Sequence, residues 1–346
     1  MPVRNEERFI ASTIEQLLKQ DYPKNRFEII VADGMSEDQT RKIVHEISEQ
    51  HSNVRLLDNP GHLPSSGRNV GFKNGKGEVF MVVDGHCHIP TDQLLRNIVS
   101  SFEKSNAQCL GRPQPLNPPG LSEFQKAVAI ARNSRIGHSG NSLIYSHYEG
   151  FVSPVSMGAI YKREIFEKIG YVDERFDACE DVEFNYRVEK AGFKTYMSPF
   201  LAIKYFPRET LKGLFKQMTR YGLGRFRFIR KHPDAINIEM FIPLGFVVGI
   251  FLFVLSGLSL LVSELGFGVS ASDLMSVVFD LLCILYGLYV AIILTGSLYL
   301  SLKNGLHYFR LLPFIFFAIH FGLGWGFLVE MLKPSFRIIS TKRTFA

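Results

Sequence analysis

Val79-Phe80-Met81-Val82-Val83-Asp84-Gly85-His86-Cys87-His88-Ile89-Pro90 is the stretch on which the reading of this chain turns. Five consecutive apolar residues predict a strand buried on both faces. A carboxylate, a glycine and two histidines end the run, and Pro90 stops it. In an open α/β sheet, ligands bind beyond the carboxyl ends of the strands. Asp84 and His86, two apart in an extended backbone, are expected on one side there. A carboxylate oxygen and an imidazole nitrogen suit a divalent ion, and such an ion binds a diphosphate. The same residues also read as a polar turn closing a strand. The flanking motifs favour the metal site.

Upstream, Phe9, Ile10, Ile14, Leu17 and Leu18 recur at helical spacing. Residues 27–33 read as a strand ending in Asp33. A turn at 34–40 leads into a second helix, with Ser36 as N-cap. Residues 54–57 form a short strand, 59–68 a Gly- and Pro-containing loop, and 69–74 a helix. This rhythm of strand and helix predicts an α/β fold with a doubly wound, mostly parallel sheet. Downstream, four prolines make 113–120 a loop, and 122–136 is weakly helical. Residues 153–161 run from loop into strand, and 163–169 form a short helix. An acidic loop, 173–181, precedes a helix over 182–191 closed by Gly192. Residues 194–197 and 202–206 are short strands.

The 346 residues carry a formal charge of +6 and are 46% hydrophobic, but unevenly. Residues 1–235 have a soluble composition, and 238–332 are mostly apolar. Between Lys204 and Lys231 lie nine Lys/Arg and one acid, so this belt carries +8 and the remainder −2. A basic belt beside apolar runs points to anionic lipid at a cytoplasmic membrane face, and away from nucleic acid. Across 210–228, Leu211, Leu214, Phe215, Met218, Tyr221 and Phe226 alternate with the cations. That pattern predicts an amphipathic helix suited to a membrane surface, or one packed on its own domain. Cys87, Cys109, Cys179 and Cys283 show no paired spacing, which indicates a reducing compartment and no zinc motif. The polar opening residues carry no signal-peptide pattern.

Three apolar runs follow. Residues 240–263 are 24 without charge, 275–302 are 28 with Asp280 alone, and 311–329 are 19 without charge. A crossing needs about 20 residues. Asp280 is costly in lipid, so it is expected at an interface or facing protein. Loop 264–274 has no Lys or Arg and is assigned outside. Loop 303–310 holds Lys303 and Arg310 and is assigned inside. Three crossings would leave the tail outside, although it carries Lys333, Arg337, Lys342 and Arg343. The third run holds Pro313, Gly322, Gly324 and Gly326, so it reads either as a crossing or as a broken, re-entrant segment.

In motif order, residues 1–225 resemble the family 2 glycosyltransferases with the GT-A fold, and most of all the membrane-attached succinoglycan-biosynthesis type. Pro2-Val3-Arg4-Asn5-Glu6-Glu7 matches the P-x-x-N-E-E loop, which implies that Pro2, Asn5 and Glu6 contact the nucleotide. Residues 33–40 match the second motif, in which Asp33 would hold the base; Gly34 replaces the usual second Asp. Gly67-Arg68-Asn69-Val70-Gly71 matches A-R-N-x-G, implying Arg68 near the diphosphate, where a guanidinium suits phosphate oxygens. Asp84-Gly85-His86 stands where the family has D-x-D, so Asp84 and His86 are the implied ligands. The imidazole favours Mn²⁺ alongside Mg²⁺, or His86 touches the phosphate directly. Ser156-Met157-Gly158-Ala159 resembles the small-residue loop lining the acceptor side. Glu180-Asp181 matches the E-D pair whose second acid is the general base. Gln217, Arg220 and Tyr221 resemble Q-x-x-R-W with Tyr for Trp, a donor-side motif of polymerising members. The family's apolar first strand has no counterpart before Pro2, so the sheet is expected to lack the strand bordering the nucleotide.

The chemistry suits these residues. The leaving diphosphate needs metal and Arg to neutralise it. The acceptor hydroxyl needs a carboxylate to take its proton. Attack opposite the diphosphate inverts the anomeric centre with one base and no protein nucleophile. The resemblance thus implies an inverting enzyme moving a sugar from a nucleoside diphosphate, UDP by family default, to a lipid-linked or polysaccharide acceptor. It would work at the cytoplasmic face of the inner membrane in exopolysaccharide or cell-surface glycan synthesis. A processive synthase and an inactive, truncated membrane module are the alternatives. The expected organisation is a catalytic domain at 1–205, an interfacial segment at 206–235, a membrane domain at 236–332 with two or three spans, and a basic tail at 333–346.

Overall fold

The computed structural model describes residues 1–138, 143–155, 157–265 and 273–333. Ser156 of the expected acceptor loop, and Arg337, Lys342 and Arg343 of the tail, lie outside them. The chain forms two compact units. One holds 1–121 and the described part of 141–207; the other holds the described parts of 122–140 and 208–335. Residues 122–138, placed by sequence in a 1–205 domain, therefore cluster with the second unit.

In the first unit, β1 (Pro2–Val3), β2 (Ile29–Asp33) and β3 (Val54–Asp58) form a parallel sheet in that order. Val3 pairs with Asp33, and Asp33 with Asp58, so the three carboxyl ends finish level. The segment before Asn5 thus supplies a short strand to the sheet. Helices α1 (Ile10–Leu18) and α2 (Thr40–Gln50) join these strands, and α3 (Pro64–Asn74) leads on from β3. Ile10, Ile14 and Leu17 share one buried cluster with Val31, Val44 and Val54. Two expected boundaries move. Ser36 does not cap α2, because it bonds Asp33 instead. Helix α3 starts at Pro64, since proline's fixed φ and missing N–H suit a first helical turn.

A second sheet is mixed. It contains β4 (Val79–Met81), β6 (Cys109–Gly111), β7 (Gly150–Val152), β8 (Gly158–Lys162) and β9 (Thr195–Met197), in the order β4-β8-β6-β9-β7. Only β6 and β9 run parallel. The 79–83 run is therefore a three-residue strand paired antiparallel with β8, continued by one bond from the Val82 N–H to the Ala159 carbonyl. It is buried on both faces beyond its first residue: Met81 and Val83 pack into one core cluster and Phe80 and Val82 into another, while Val79 at the strand's start is 39% exposed. Beyond it, β5 (Cys87–His88) pairs antiparallel with β10 (Lys204–Tyr205). Helix α4 (Leu94–Ser105) buries Leu94, Ile98 and Phe102. Helices α6 (Arg163–Ile169) and α7 (Glu180–Lys190) enclose an aromatic cluster. Phe72 meets Phe80 edge-on at 5.8 Å, and Tyr161 meets Phe184 edge-on at 5.1 Å. Each such pair adds about 0.5–1.5 kcal/mol beyond its area.

The second unit contains α5 (Glu123–Arg132), α8 (Leu211–Lys231), α9 (Ile242–Glu264), α10 (Asp273–Asn304) and α11 (Leu312–Met331). A Ser122–Gln125 capping box starts α5. Among the described residues, three helices are long and apolar enough to cross a membrane. The last is one unbroken helix, not a re-entrant break: Pro313 sits in its first turn, and its glycines mark close packing. A Cβ on Gly322 would lie 2.8 Å from the Met218 Cβ, and one on Gly324 would strike the Pro243 carbonyl. Helix α8 does not lie free. It buries Leu214, Met218, Gly222 and Phe228, and Arg227 forms a buried two-pronged ion pair with Glu330 of α11, at 2.7 and 3.1 Å.

Candidate active site

The site lies in the first unit, past the level ends of β1, β2 and β3. Two loops there are laced together. The Asn5 N–H donates to the Ser36 hydroxyl at 2.9 Å, and the Glu37 N–H to the Asn5 side-chain oxygen at 2.9 Å. The Glu6 N–H donates to the Thr40 hydroxyl at 2.7 Å, and the Gln39 N–H to the Glu7 carboxylate at 2.9 Å. Asn5 and Met35 adopt left-handed backbone, φ 54° and 56°, which these bonds hold in place.

Asp33 shapes this loop pair. Its side chain is fully buried, and it accepts from the Ser36 N–H, the Ser36 hydroxyl and Arg41 Nη1, the last at 2.8 Å. Arg41 bridges on to Asp58. Asp33, expected at the base, thus has its carboxylate oxygens engaged by Ser36 and Arg41 and is fully buried.

Gly85 and His86 form a bend between Asp84 and the short strand β5, where an extended strand end was expected. His86 Nδ1 lies 2.7 Å from Glu6 Oε1. Gly85 permits this, since a Cβ there would sit 2.8 Å from the Glu6 Cγ. The Thr13 hydroxyl holds the Gly85 carbonyl at 2.7 Å. Asp84 is half-buried, and its carboxylate has no hydrogen-bond or ion-pair partner among the described residues. Glu6, assigned by sequence to the nucleotide, thus orients the histidine.

Opposite charges meet at Arg68 on α3. Its Nη2 pairs with Glu180 Oε1 at 3.0 Å, with both side chains largely buried. Burial alone would lower the guanidinium's pKa. The charges of Glu180, Asp181 and Asp84 outweigh this and raise it. Burial pushes the Glu180 carboxyl up; Arg68 opposes this, and Asp181 and Asp84 add to it. The Arg68 Nε has no hydrogen-bond partner among the described residues. Asn69 grips the loop ahead of α7, with Nδ2 on the Val172 carbonyl at 2.9 Å and on Glu174 at 2.7 Å. The Gly67 Cα allows α3 to approach β1, for a Cβ would lie 2.9 Å from the Pro2 Cβ. Cys179, at φ 59°, turns the chain so that Glu180 and Asp181 open α7. Asp181 is half-buried, and apart from the adjacent Val182 N–H its carboxylate has no partner among the described residues.

Sequence reading overlooked three supports. The Tyr161 hydroxyl donates to the Gly158 carbonyl and to Asn185 Oδ1, each at 2.8 Å, tying α7 to β8. Gly158 is required there, since a Cβ would lie 2.5 Å from Asn185 Oδ1. Arg112, 1% exposed, bonds the Val82 carbonyl and the Tyr205 hydroxyl, and the Asp84 charge acts on it. Only the small residues around Gly158 hinted at any of these. Gln217, Arg220 and Tyr221 lie on α8 in the second unit, where Gln217 Nε2 meets the Tyr221 hydroxyl at 3.3 Å.

The candidate site thus has two charged centres, a half-buried carboxylate beside a histidine paired with Glu6 and a buried arginine facing an acid pair. Comparison with known proteins identifies the class. Residues 138–329 match Glycosyl transferase family group 2, and residues 1–170 match Glycosyl transferase family 2. The chain belongs to the family 2 glycosyltransferases and is a glycosyltransferase. It is 31% identical over 250 residues to a succinoglycan biosynthesis protein of Rhizobium meliloti (strain 1021), covering 71% of this chain and 73% of that one. It is 26% identical over 339 residues, 96% of each chain, to a protein of Methanococcus voltae. That relative is named dolichyl N-acetyl-alpha-D-glucosaminyl phosphate 3-beta-D-2,3-diacetamido-2,3-dideoxy-beta-D-glucuronosyltransferase. A mannosyltransferase from Pyrobaculum calidifontis, solved with GDP-Man and Mn²⁺, superposes with a TM-score of 0.58 at 15% identity, over 96% of this chain and 85% of that one. The shared fold is GT-A.

Proposed function

We propose that this chain is an inverting transferase that moves a sugar from a nucleoside diphosphate, UDP by preference, to a lipid-linked or polysaccharide acceptor at the cytoplasmic face of a membrane. The observation that carries this is the cluster of Asp84, Glu180 and Asp181 about the buried Arg68. Arg68 takes up the diphosphate charge. Glu180 holds its guanidinium in place, and Asn5 and Pro2 frame the nucleotide side. Asp181 accepts the acceptor hydroxyl's proton as that oxygen bonds to the anomeric carbon. The bond from that carbon to the diphosphate breaks, and the nucleoside diphosphate leaves with the electron pair.

A divalent ion fits beside this arrangement. Among the described residues no group of three His, Cys, Asp or Glu could hold an ion, so the diphosphate would complete the shell. Asp84 offers an open carboxylate. The Nδ1–H of His86, given to Glu6, fixes the tautomer whose Nε2 bears the lone pair. When bound, Mg²⁺ or Mn²⁺ would neutralise the leaving diphosphate.

Asp181→Asn is the test. Transfer should fall about 10²–10⁴-fold, while titration calorimetry finds nucleoside diphosphate binding unchanged. Full transfer by Asp181→Asn would remove the base from this residue. Screening nucleotide-sugars against membranes containing the chain identifies the donor.

A further inference from the structure

The second unit holds a combination that a third crossing does not accommodate. Helices α8 and α11 run parallel and in contact. Met218 and Phe215 meet Gly322, Thr219 meets Gly326, and Gly222 meets Leu323 and Phe327. Arg227 meets Glu330, and Arg230 bonds the Glu330 carbonyl. The contact spans residues 215–230 of one helix and 322–330 of the other, most of the length of α8. Yet α8 carries Lys212, Lys216, Arg220 and Arg225 at exposed positions along that length. If α11 crossed the hydrocarbon, these cations would be carried into it.

The other end of α11 is held by a charge-bearing segment as well. Leu312, Ile315, Phe316 and Ile319 share a buried cluster with Ala127, Val128 and Ala131 of α5. Beside them His307 pairs with Glu123 at 3.0 Å, and Glu123 with Lys126 at 2.7 Å. The His320 Nε2 lies 2.8 Å from the Ile136 carbonyl. Ring and Cβ contacts of α11 with α9 fall at Pro243, Phe246, Val247 and Phe251, the start of that helix. Helices α9 and α10 meet from Phe246, whose carbonyl accepts from the Tyr286 hydroxyl at 2.7 Å, on to Phe253, Gly257 and Phe279, and α10 also reaches α11, with the Tyr289 hydroxyl 3.1 Å from His320 Nδ1.

We propose that α9 and α10 alone among the described helices cross the bilayer, and that α11 lies beside α8 in the plane of the membrane surface. This rests on reading α9 and α10 as membrane spans. In this arrangement the edge of α11 turned toward lipid is Phe314, Phe317, Phe321, Trp325 and Leu328, at helical spacing, with Phe317 and Trp325 also touching Phe246 and Phe251 of α9 and Phe321 touching Phe215 of α8. Phe314 is 64% and Phe317 46% exposed. Phe317, Phe321 and Trp325 stack in succession at 5.4 and 6.3 Å. Aromatic rings favour the headgroup boundary, and the α8 cations complement anionic headgroups. The α9–α10 hairpin returns the chain to its starting side, so Lys333 stays on the side of α8. This removes the conflict between three crossings and a cationic tail.

Trp325 is the chain's single tryptophan and reports its own depth. In a crossing α11 it would lie about 5 Å from the bilayer midplane. The wild-type chain is placed in vesicles of phosphatidylcholine and phosphatidylglycerol brominated either near the headgroup or near the chain ends. In-plane α11 predicts at least twofold stronger quenching by the shallow bromines. Stronger deep quenching overturns the proposal, and so does no quenching from either depth. A second measurement labels Lys212→Cys, Lys333→Cys and Leu265→Cys with an impermeant maleimide in oriented vesicles, Cys179 and Cys283 being replaced by serine. Positions 212 and 333 should label from one side and 265 from the other. Labelling of 333 together with 265, apart from 212, overturns it. Labelling of all three from one side overturns the membrane reading beneath it.

Discussion

At the scale of single residues, the site depends on a buried guanidinium that is both held and holding. Arg68→Lys keeps the charge beside Glu180 but loses the planar fork. Hydrogen bonds to charged groups contribute about 1.5–3 kcal/mol, so nucleoside diphosphate affinity should fall about 10–100-fold by calorimetry while the fold persists. Two cysteines give a second expectation. Burial pushes the Cys87 and Cys109 thiols up to about 12, with the Arg112 charge opposing this at Cys87. Neither should react with iodoacetamide at pH 8 in the folded protein, and both should react once it is unfolded, as read by mass spectrometry. Both pKa values are raised in the fold, so this contribution to stability is complete below about pH 8.5. It is lost as pH rises toward the folded value, because the unfolded chain ionises first. Arg68, Asp84 and Asp181 were legible as motif residues in order. That Glu6 would turn to His86 was not, because an N-E-E spacing carries no information about a bend 80 residues away. Arg112 was illegible for the same reason: nothing local marks an arginine whose partners are a carbonyl and a distant tyrosine.

At the scale of elements, hydrophobic runs predicted which segments are buried but not which neighbours they find. The 79–83 run looked like a central parallel strand, since its residues would satisfy either pairing. Antiparallel β8 won, and the Gly85 bend ended the strand early. Pro64 was read as loop punctuation, although proline equally starts helices. The glycines of α11 were read as possible breaks; they are instead where α8 and α9 come closest. The α8–α11 pairing leads to a sharp expectation. Glu330→Gln leaves Arg227 buried without its anion, and removing one member of a buried pair costs about 3–5 kcal/mol. Thermal unfolding in detergent should fall clearly for Glu330→Gln. The double substitution Arg227→Met with Glu330→Leu should recover most of the loss, since an apolar pair of similar volume needs no desolvated charge.

At the scale of the whole molecule, composition separated a soluble part from an apolar one, and the family resemblance supplied the catalytic fold. What composition concealed is that the chain visits the second unit early. Residues 122–140 look soluble, with capped ends and scattered charge, yet Ala127, Val128 and Ala131 are buried against α11. The chain therefore leaves the first unit, returns to it, and leaves again after Pro207. The consequence is practical. A fragment cut at residue 207 would retain the whole acid–arginine centre but strand an apolar helix with nothing to cover it. Such a fragment should aggregate on size-exclusion chromatography. The same fragment with 122–140 exchanged for a short Gly-Ser linker should elute as a monodisperse species, which would provide a water-soluble half carrying the candidate site for crystallisation or ligand screening.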